Sequence, residues 1–163
     1  MKNYESDQAT REEVKKIFVQ FLEESGQRKT PERFAILDEI YLSREHFDAE
    51  GLYIHMKNLN YRLSRATVYN TLDLLVDCGL VRKHQFGENI TRYEGAYGQK
   101  QHDHMICNVC NHVFEFCDPR IQHIKKMMGD LLHFEVTSHS LHLFGKPMTD
   151  AKGKCVTCNK KVI

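Results

Sequence analysis

Two Cys-x-x-Cys pairs are the feature of this sequence that most restricts its fold. They are Cys107/Cys110 and Cys155/Cys158, and each is followed by asparagine, in "CNVCN" and "CVTCN". Asparagine tolerates the left-handed backbone that lets two thiolates converge on one ion. Four thiolates form a closed tetrahedral Zn²⁺ shell that leaves no position for water, so we expect a structural zinc. Such a zinc would connect residues 155–158, near the end of the sequence, to the first predicted strand of the second half of the chain, which precedes Cys110.

Two other interpretations of the cysteine pairs stay open, namely independent redox or surface pairs and a disulfide. The N-terminal segment is polar and lacks the apolar core of a signal peptide. No apolar run approaches the ~20 residues that a membrane helix needs. We therefore expect a cytoplasmic protein without a membrane partner, in which thiols are reduced or metal-bound. Cys78 and Cys117, outside the pairs, are expected to be small buried hydrophobes.

Length and composition allow one ordinary domain or two small ones. The chain has 163 residues, of which 41% are hydrophobic and 28% charged, and this is a globular composition. The net charge is only +1. Contact with nucleic acid would therefore have to use basic residues that are gathered locally, and residues 26–33 and 82–92 are the two candidate stretches.

The first half has the pattern of a helical domain that ends in a hairpin. Apolar residues at helical spacing predict four helices, which begin at a Thr10/Glu13 capping box, at Thr30-Pro31, at Asp48 and at Ser64. Two short β-prone segments follow at residues 80–86 and 90–94, and turn-forming residues join them. This order is typical of a winged helix, in which the fourth helix enters the major groove of DNA.

The second half has the pattern of a small α/β domain. The glycine-containing stretch at residues 95–101 predicts a domain boundary, with a winged-helix DNA-binding domain over residues 1–95 and an α/β domain over residues 96–163. Strands are predicted at residues 103–108 and 112–117, followed by a helix opened by Asp118-Pro119 and a further strand over residues 135–145. The expected fold class is therefore α+β.

Histidines next to the first cysteine pair form a candidate metal site. His102 and His104 are two apart on a predicted strand and share a face, whereas Asp103 points to the other face. Glu115, on the neighbouring strand, can join the histidine side. Imidazole with carboxylate suits Fe²⁺, Mn²⁺ or Zn²⁺ and holds metal more reversibly than four thiolates. Ordinary surface or core histidines are the alternative, and spacing alone does not decide between the two.

Taken together, several segments resemble one known family. They are "SRATVYNTLDLLVDCGLV", "HDHMICNVCNHVFEF" and "SHSLHLFG", together with the two cysteine pairs. They are similar to the ferric uptake regulator family of bacterial metal-sensing repressors, from about Gly26 to Cys158. The resemblance implies a homodimer with an N-terminal winged-helix domain and a C-terminal α/β dimerisation domain. It also implies that a metal bound between the domains sets their relative angle, so that two reading helices match an inverted-repeat operator.

The resemblance also implies specific ligand positions. Carried over by motif, the regulatory metal site consists of His46, Glu94, His102, His104 and Glu115. The family often has a further site, and its positions here are Gln101, Asp103, Gln122 and His139. Relatives usually have histidine at the first of these positions and glutamate at the third. Because both glutamines are poor ligands, only Asp103 and His139 remain, and we expect this third site to bind metal poorly.

For DNA, the resemblance implies six contact residues: Arg28, Ser64, Arg65, Thr67, Tyr69 and Asn70. Tyr69 is expected to pack against thymine methyl groups from the reading helix, and Arg28 matches a basic residue that enters the minor groove in relatives. Asn70 departs from the usual arginine, which puts operator affinity or preference in question. Alone, Tyr69 could equally be a packed aromatic of a helix.

The function that the resemblance implies is an Fe²⁺-responsive repressor of iron-homeostasis genes, bound as a homodimer to an AT-rich inverted repeat. Mn²⁺ or Zn²⁺ can take the place of Fe²⁺. Zinc-sensing relatives usually place a cysteine near Glu94, and peroxide-sensing relatives usually have aspartate where Glu115 stands. Neither feature is present in this sequence, which favours iron over these two alternatives.

Two other classes of protein are alternatives to a regulator. A metallohydrolase using His102, His104 and Glu115 would need an open coordination position and a general base, and no motif for either is visible. We therefore expect neither an enzyme nor a small-molecule substrate. A zinc-ribbon interaction module that does not bind DNA leaves the helix–hairpin half unexplained.

Overall fold

The computed structural model describes residues 4–43, 46–86, 90–99, 101–146 and 148–149. Within these residues the chain has an α+β fold that divides into two compact units, Met1–Gln99 and Lys100–Ile163. The sequence analysis placed the boundary after residue 95. No helix in the described ranges is long and apolar enough to cross a membrane.

Four helices and a hairpin make up the first unit. The elements are α1 (Tyr4–Glu24), α2 (Pro31–Ser43), α3 (Ala49–Asn58), α4 (Arg65–Asp77), β1 (Val81–Phe86) and β2 (Ile90–Gly95). The predicted N-caps of α3 and α4 are confirmed, because Asp48 accepts from the Gly51 N–H at 2.7 Å and Ser64 from the Thr67 N–H at 3.1 Å. The predicted start of the first helix is wrong, since α1 begins six residues before Thr10.

The helices of the first unit bury one apolar stripe each against a common core. Among the fully buried side chains are Phe18 of α1, Leu37 of α2, Met56 of α3 and Leu72 of α4. Tyr41 of α2 adds a polar link, because its hydroxyl donates to the Leu80 carbonyl at 2.6 Å and accepts from the Tyr97 N–H at 3.2 Å. Burial raises the pKa of this phenol, so it remains protonated and able to donate.

The hairpin has a third, very short pairing partner. β1 and β2 are antiparallel, with Arg82 opposite Glu94 and His84 opposite Arg92. Phe47, between α2 and α3, exchanges both backbone hydrogen bonds with Tyr93 of β2 at 3.0 and 2.8 Å. The two rings also stack, with centroids 5.9 Å apart. This bridge places the residue before Phe47 beside the residue after Tyr93.

The second unit is a three-stranded sheet with one helix. Its elements are β3 (Asp103–Cys107), β4 (Val113–Phe116), α5 (Pro119–Leu132) and β5 (His142–Gly145). The strand order is β4-β3-β5, with β4 antiparallel and β5 parallel to the central strand. The parallel pairing requires a crossover, which α5 supplies. The predicted last strand is confirmed only over residues 142–145, since residues 135–141 have no regular structure.

Replacing Tyr41 by Phe tests the link between α2 and the two ends of the hairpin. We expect Tyr41→Phe to lower the free energy of unfolding by about 1–2 kcal/mol, because the Tyr97 N–H loses its acceptor and the Leu80 carbonyl one of its donors. Urea denaturation followed by circular dichroism measures the change. Tyr61→Phe, which alters a more exposed tyrosine, is the matched control, and an equal loss in both variants would contradict this account.

Candidate metal centre and DNA interface

A buried carboxylate lies at the centre of a polar cluster in the first unit. Glu94 is only 3% exposed. Its Oε2 lies 3.3 Å from His46 Nε2, and its Oε1 lies 2.9 Å from His84 Nε2 and 3.5 Å from an Arg82 guanidinium nitrogen. A buried carboxylate is costly unless such groups compensate its charge. The Phe47–Tyr93 bridge and the hairpin register therefore bring together the two ligands predicted for this half, His46 and Glu94.

His84 belongs to this cluster, although it is not among the ligands predicted from the sequence. Its ring stacks on Phe86 with centroids 5.6 Å apart and an interplanar angle of 3°. Since Arg82 is opposite Glu94 in the hairpin, His84 lies diagonal to Glu94 on the same face and within reach of it. One sequence feature could have indicated His84. Arg82, His84 and Phe86 alternate along one predicted strand and therefore share a face, and this strand pairs with the strand that carries Glu94.

The basic stretch at residues 82–92 is used inside the first unit. Arg82 and His84 face Glu94, as described. Arg92 forms an ion pair with Asp48 at 2.7 Å, and the Lys83 ammonium lies 6.0 Å from the centroid of the Tyr93 ring. These contacts explain why the stretch is basic, so its composition is no longer an indication of a DNA-binding surface.

The second unit brings its three predicted ligands together. His102 precedes β3, and its ring centroid lies 4.9 Å from that of His104. Glu115 is directly opposite His104 in the pairing of β3 with β4, so both side chains are on one face of the sheet. His102 Nε2 lies 3.9 Å from Glu115 Oε1. Another histidine, His142, lies on the other side of His104 in the pairing with β5, and the sequence analysis missed it as well.

The third-site positions form a hydrogen-bonded cluster around Asp103. The Asp103 carboxylate, 3% exposed, accepts from the Leu141 N–H at 3.2 Å and lies 3.2 Å from His139 Nε2. The side-chain amide of Gln101 donates to the His139 carbonyl. Gln122 lies on α5 and lines a cavity of about 290 Å³ together with Lys125, Lys126 and Asp130. In this arrangement Gln101 is a hydrogen-bond donor, and Asp103 holds residues 139–141 against β3.

The first cysteine pair lies in a tight turn after β3. The Asn111 N–H donates to the Cys107 carbonyl at 2.9 Å, and the Cys107 N–H donates to the His112 carbonyl at 3.0 Å. Asn111 has a φ of 55°, which confirms the left-handed asparagine predicted from "CNVCN". Cys155 and Cys158 lie outside the described residues. Cys107 is buried, and Cys110 is half-buried.

The two cysteines outside the pairs differ from each other. Cys78 packs against the core of the first unit, and burial raises the pKa of its thiol, as expected of a small apolar side chain. Cys117 is exposed, so its prediction as a buried residue is wrong.

The outer face of α4 and its N-cap carry most of the residues predicted to contact DNA. Tyr69 is 45% exposed, and Arg65 and Asn70 are exposed beside it. A cleft of about 680 Å³ adjoins this face, and three basic side chains and one carboxylate are among its lining residues: Arg33, Lys57, Arg62 and Glu32. Ser64 and Thr67 also line the cleft, although the Ser64 hydroxyl already caps α4. Arg28 is exposed in the segment before α2.

Arg65 is held in place by α3. Its guanidinium forms a bidentate ion pair with Glu50, with distances from 2.7 to 3.1 Å, and lies 4.4 Å from the centroid of the Tyr53 ring. The hydrogen bond from Arg65 lowers the pKa of Glu50. This pair orients the guanidinium at the start of α4, and it also supplies a carboxylate with which any DNA phosphate must compete.

Comparison with known proteins agrees with this arrangement. The sequence model of the Ferric uptake regulator family matches residues 24–144. The chain belongs to the ferric uptake regulator family. It is 33% identical to the ferric uptake regulation protein of Campylobacter upsaliensis over 99% of this chain and 96% of that protein. It is also 30% identical to the peroxide operon regulator of Bacillus subtilis over 86% of this chain and 90% of the relative.

Solved structures of ferric uptake regulators have a similar fold. The Vibrio cholerae ferric uptake regulator, whose DNA-binding domains are described as rearranged, matches with a TM-score of 0.67 and 35% identity, over 78% of this chain and 97% of that one. The ferric uptake regulator of Francisella tularensis with iron matches with a TM-score of 0.68 and 26% identity, over 74% and 92% of the two chains.

Replacing Asp103 by Ala distinguishes a structural role from a metal-binding one. We expect Asp103→Ala to lower the free energy of unfolding by about 1–3 kcal/mol, because the half-buried Leu141 N–H and His139 imidazole lose their partner. Chemical denaturation measures the loss, and Asp130→Ala, which removes an exposed carboxylate of α5, is the control. Added Mn²⁺ should leave the difference in free energy of unfolding between Asp103→Ala and the parent protein unchanged. A difference that grows with Mn²⁺ would assign Asp103 to a metal site.

Proposed function

We propose that the protein is a metal-responsive transcriptional regulator that represses iron-homeostasis genes as a homodimer on an AT-rich inverted repeat. One observation carries the proposal: each unit gathers imidazole and carboxylate donors, His46 with Glu94 and His102 with His104 and Glu115. The first unit also exposes the reading residues of α4. The protein acts in the cytoplasm, where bacterial DNA lies, and has no catalytic role, small-molecule substrate or membrane partner.

The donor chemistry fits the proposed regulatory metal. Imidazole nitrogen and carboxylate oxygen suit Fe²⁺, Mn²⁺ and Zn²⁺ alike. The absence of cysteine beside Glu94 and the presence of glutamate at position 115 favour iron over a zinc-sensing or peroxide-sensing role. The similarity to the ferric uptake regulator of Francisella tularensis with iron agrees with the choice of iron. Because of the similarity to the peroxide operon regulator of Bacillus subtilis, peroxide sensing is the second candidate function.

The proposed switch requires one metal ion to draw on both sets of donors. His46 and Glu94 belong to the unit that carries α4, and the other three ligands belong to the second unit. Ligands shared in this way make the metal affinity depend on the angle between the units. Only a coupling of this kind links the metal to operator affinity, and a tenfold effect on binding needs about 1.4 kcal/mol.

A structural zinc is proposed for the four paired cysteines, Cys107, Cys110, Cys155 and Cys158. The turn around Asn111 supports the proposal, because the two hydrogen bonds that flank Cys107 shape this segment into a tight turn. Cys107 is also buried, which suits a thiolate that is shielded in a closed metal shell. The zinc has no open position for water and therefore no part in metal sensing.

An apolar surface of the second unit supports the proposed homodimer. α5 and the segment after it expose large apolar side chains, among them Ile124, Met127, Leu131, Leu132 and Phe134, with exposed fractions between 51% and 72%. A concentration of apolar side chains of this kind on one unit is typical of a protein–protein interface. We propose that a second copy of the chain covers this surface, because an inverted repeat is bound by two symmetry-related subunits.

The switch is tested by operator binding in zinc-loaded protein with and without Fe²⁺. We expect Fe²⁺ to tighten binding of an AT-rich inverted repeat by about tenfold or more. His46→Ala and His104→Ala should each remove this response, because each takes a ligand from one of the two donor sets. Anaerobic fluorescence anisotropy measures the affinity.

Zinc content and oligomeric state should not change in these variants, since neither residue is a thiolate ligand or part of α5. His55→Ala, which changes an exposed histidine of α3, is the matched control and should keep the Fe²⁺ response. The mechanism is rejected if metal-free, zinc-loaded protein binds the operator as tightly as the Fe²⁺ form.

Tyr69→Ala tests the DNA surface. We expect operator affinity to fall by roughly 1–3 kcal/mol, with weaker discrimination at one base step, because an apolar contact with thymine is lost. Binding to unrelated DNA should change less, since phosphate contacts dominate it. Tyr97→Ala, which removes an exposed ring from the loop after β2, should leave both affinities unchanged. Equal operator affinity in the two variants would place the DNA surface elsewhere.

A further inference from the structure

A row of potential ligands crosses the sheet of the second unit. Glu115 of β4, His104 of β3 and His142 of β5 are directly opposite one another in the strand order β4-β3-β5. Residues opposite each other in neighbouring strands have side chains on the same face. His102, just before β3, extends this group to three imidazoles and one carboxylate within a single unit. The regulatory ligands considered so far include the other members of the row but not His142.

His142 is close enough to His104 to share an ion with it. The two ring centroids are 5.5 Å apart, and a ring nitrogen of one lies within 4.8 Å of a ring nitrogen of the other. Two nitrogens bound to one Zn²⁺ at ~2.0–2.1 Å stand roughly 3.4 Å apart in a tetrahedral shell. A change of about 1.4 Å or less therefore separates the observed arrangement from a shared ion, which is within the range of side-chain rotation.

The surroundings of His142 suit a ligand. The Ser140 hydroxyl lies 3.0 Å from His142 Nε2, and a hydrogen bond at one ring nitrogen is the usual companion of a histidine that binds metal through the other. His142 is half-buried, whereas His104 is 2% exposed. This placement puts His142 at the accessible side of a buried ligand, where an incoming ion can be captured.

We propose that His142 is an additional metal ligand and that it determines metal preference. The inference rests on the proposed regulatory site and deepens it. A third imidazole beside His102 and His104 makes the donor set richer in nitrogen. Nitrogen donors favour late first-row ions such as Co²⁺, Ni²⁺ and Zn²⁺, whereas Mn²⁺ prefers carboxylate and water oxygens. His142 therefore shifts the selectivity of the site away from Mn²⁺ and toward later metals.

The experiment compares Co²⁺ and Mn²⁺ binding to the full chain with its structural zinc retained. In His142→Gln we expect Co²⁺ affinity to fall by about tenfold or more while Mn²⁺ affinity changes by about threefold or less. The visible absorption of bound Co²⁺ should also shift, because one nitrogen leaves its shell. His142→Phe, which keeps the size of the ring, repeats the test without a polar side chain. His112→Gln changes an exposed histidine of the same unit and should leave both affinities unchanged.

The outcomes separate this inference from the function on which it rests. Unchanged Co²⁺ affinity in both His142 variants overturns the inference, and so does an equal loss of both metals in folded protein, because preference is what His142 is proposed to determine. In either case the proposed regulator stands if His104→Ala still loses the regulatory metal. If His104→Ala keeps full affinity for both metals, the regulatory site itself is wrong.

Discussion

The charge of the buried Glu94 carboxylate is the constraint on which the first unit depends. At 3% exposure, this group is tolerated only if cationic or hydrogen-bonding partners surround it. Its partners come from two separate places, since His46 precedes the Phe47–Tyr93 bridge and Arg82 and His84 lie on β1. A slip of one residue in the hairpin would turn these side chains to the other face. The burial of the Glu94 charge therefore requires this particular hairpin register.

The same carboxylate is a proposed ligand of the regulatory metal, and it belongs to the unit that carries α4. A cation bound there would compete with Arg82 and His84 for the Glu94 oxygen atoms, whereas His46 would bind the cation as a second ligand. In the regulator proposed here, metal binding would therefore change hydrogen bonds within the hairpin that follows α4 directly in the chain. The zinc proposed at the turn around Cys107 would have no such connection, because a closed zinc shell offers no open position. In this proposal, imidazole and carboxylate ligands bind the sensed metal, and thiolates bind the structural zinc.

Local chemistry could be predicted from the sequence, and pairing between distant segments could not. The caps at Asp48 and Ser64 and the left-handed Asn111 depend on a few neighbouring residues, and all three were predicted correctly. The Thr10 cap was wrong because residues 4–9 are themselves compatible with a helix, so α1 continues past a local cap. His84 and His142 were missed because their roles depend on strand register. Strand spacing suggested His102, His104 and Glu115 as ligands, whereas His46 and Glu94 were inferred from family resemblance alone.

The nearly balanced charge of the chain gives metal coupling its importance. With a net charge of +1, long-range attraction to DNA is weak, so basal affinity depends on local contacts beside α4. Beside α4, the Arg65 guanidinium is already paired with Glu50. A phosphate that binds Arg65 must replace this ion pair, so the net gain is the difference in free energy between the two pairs. In the proposed switch, a coupling energy of about 1–3 kcal/mol would change operator affinity by about 5- to 150-fold.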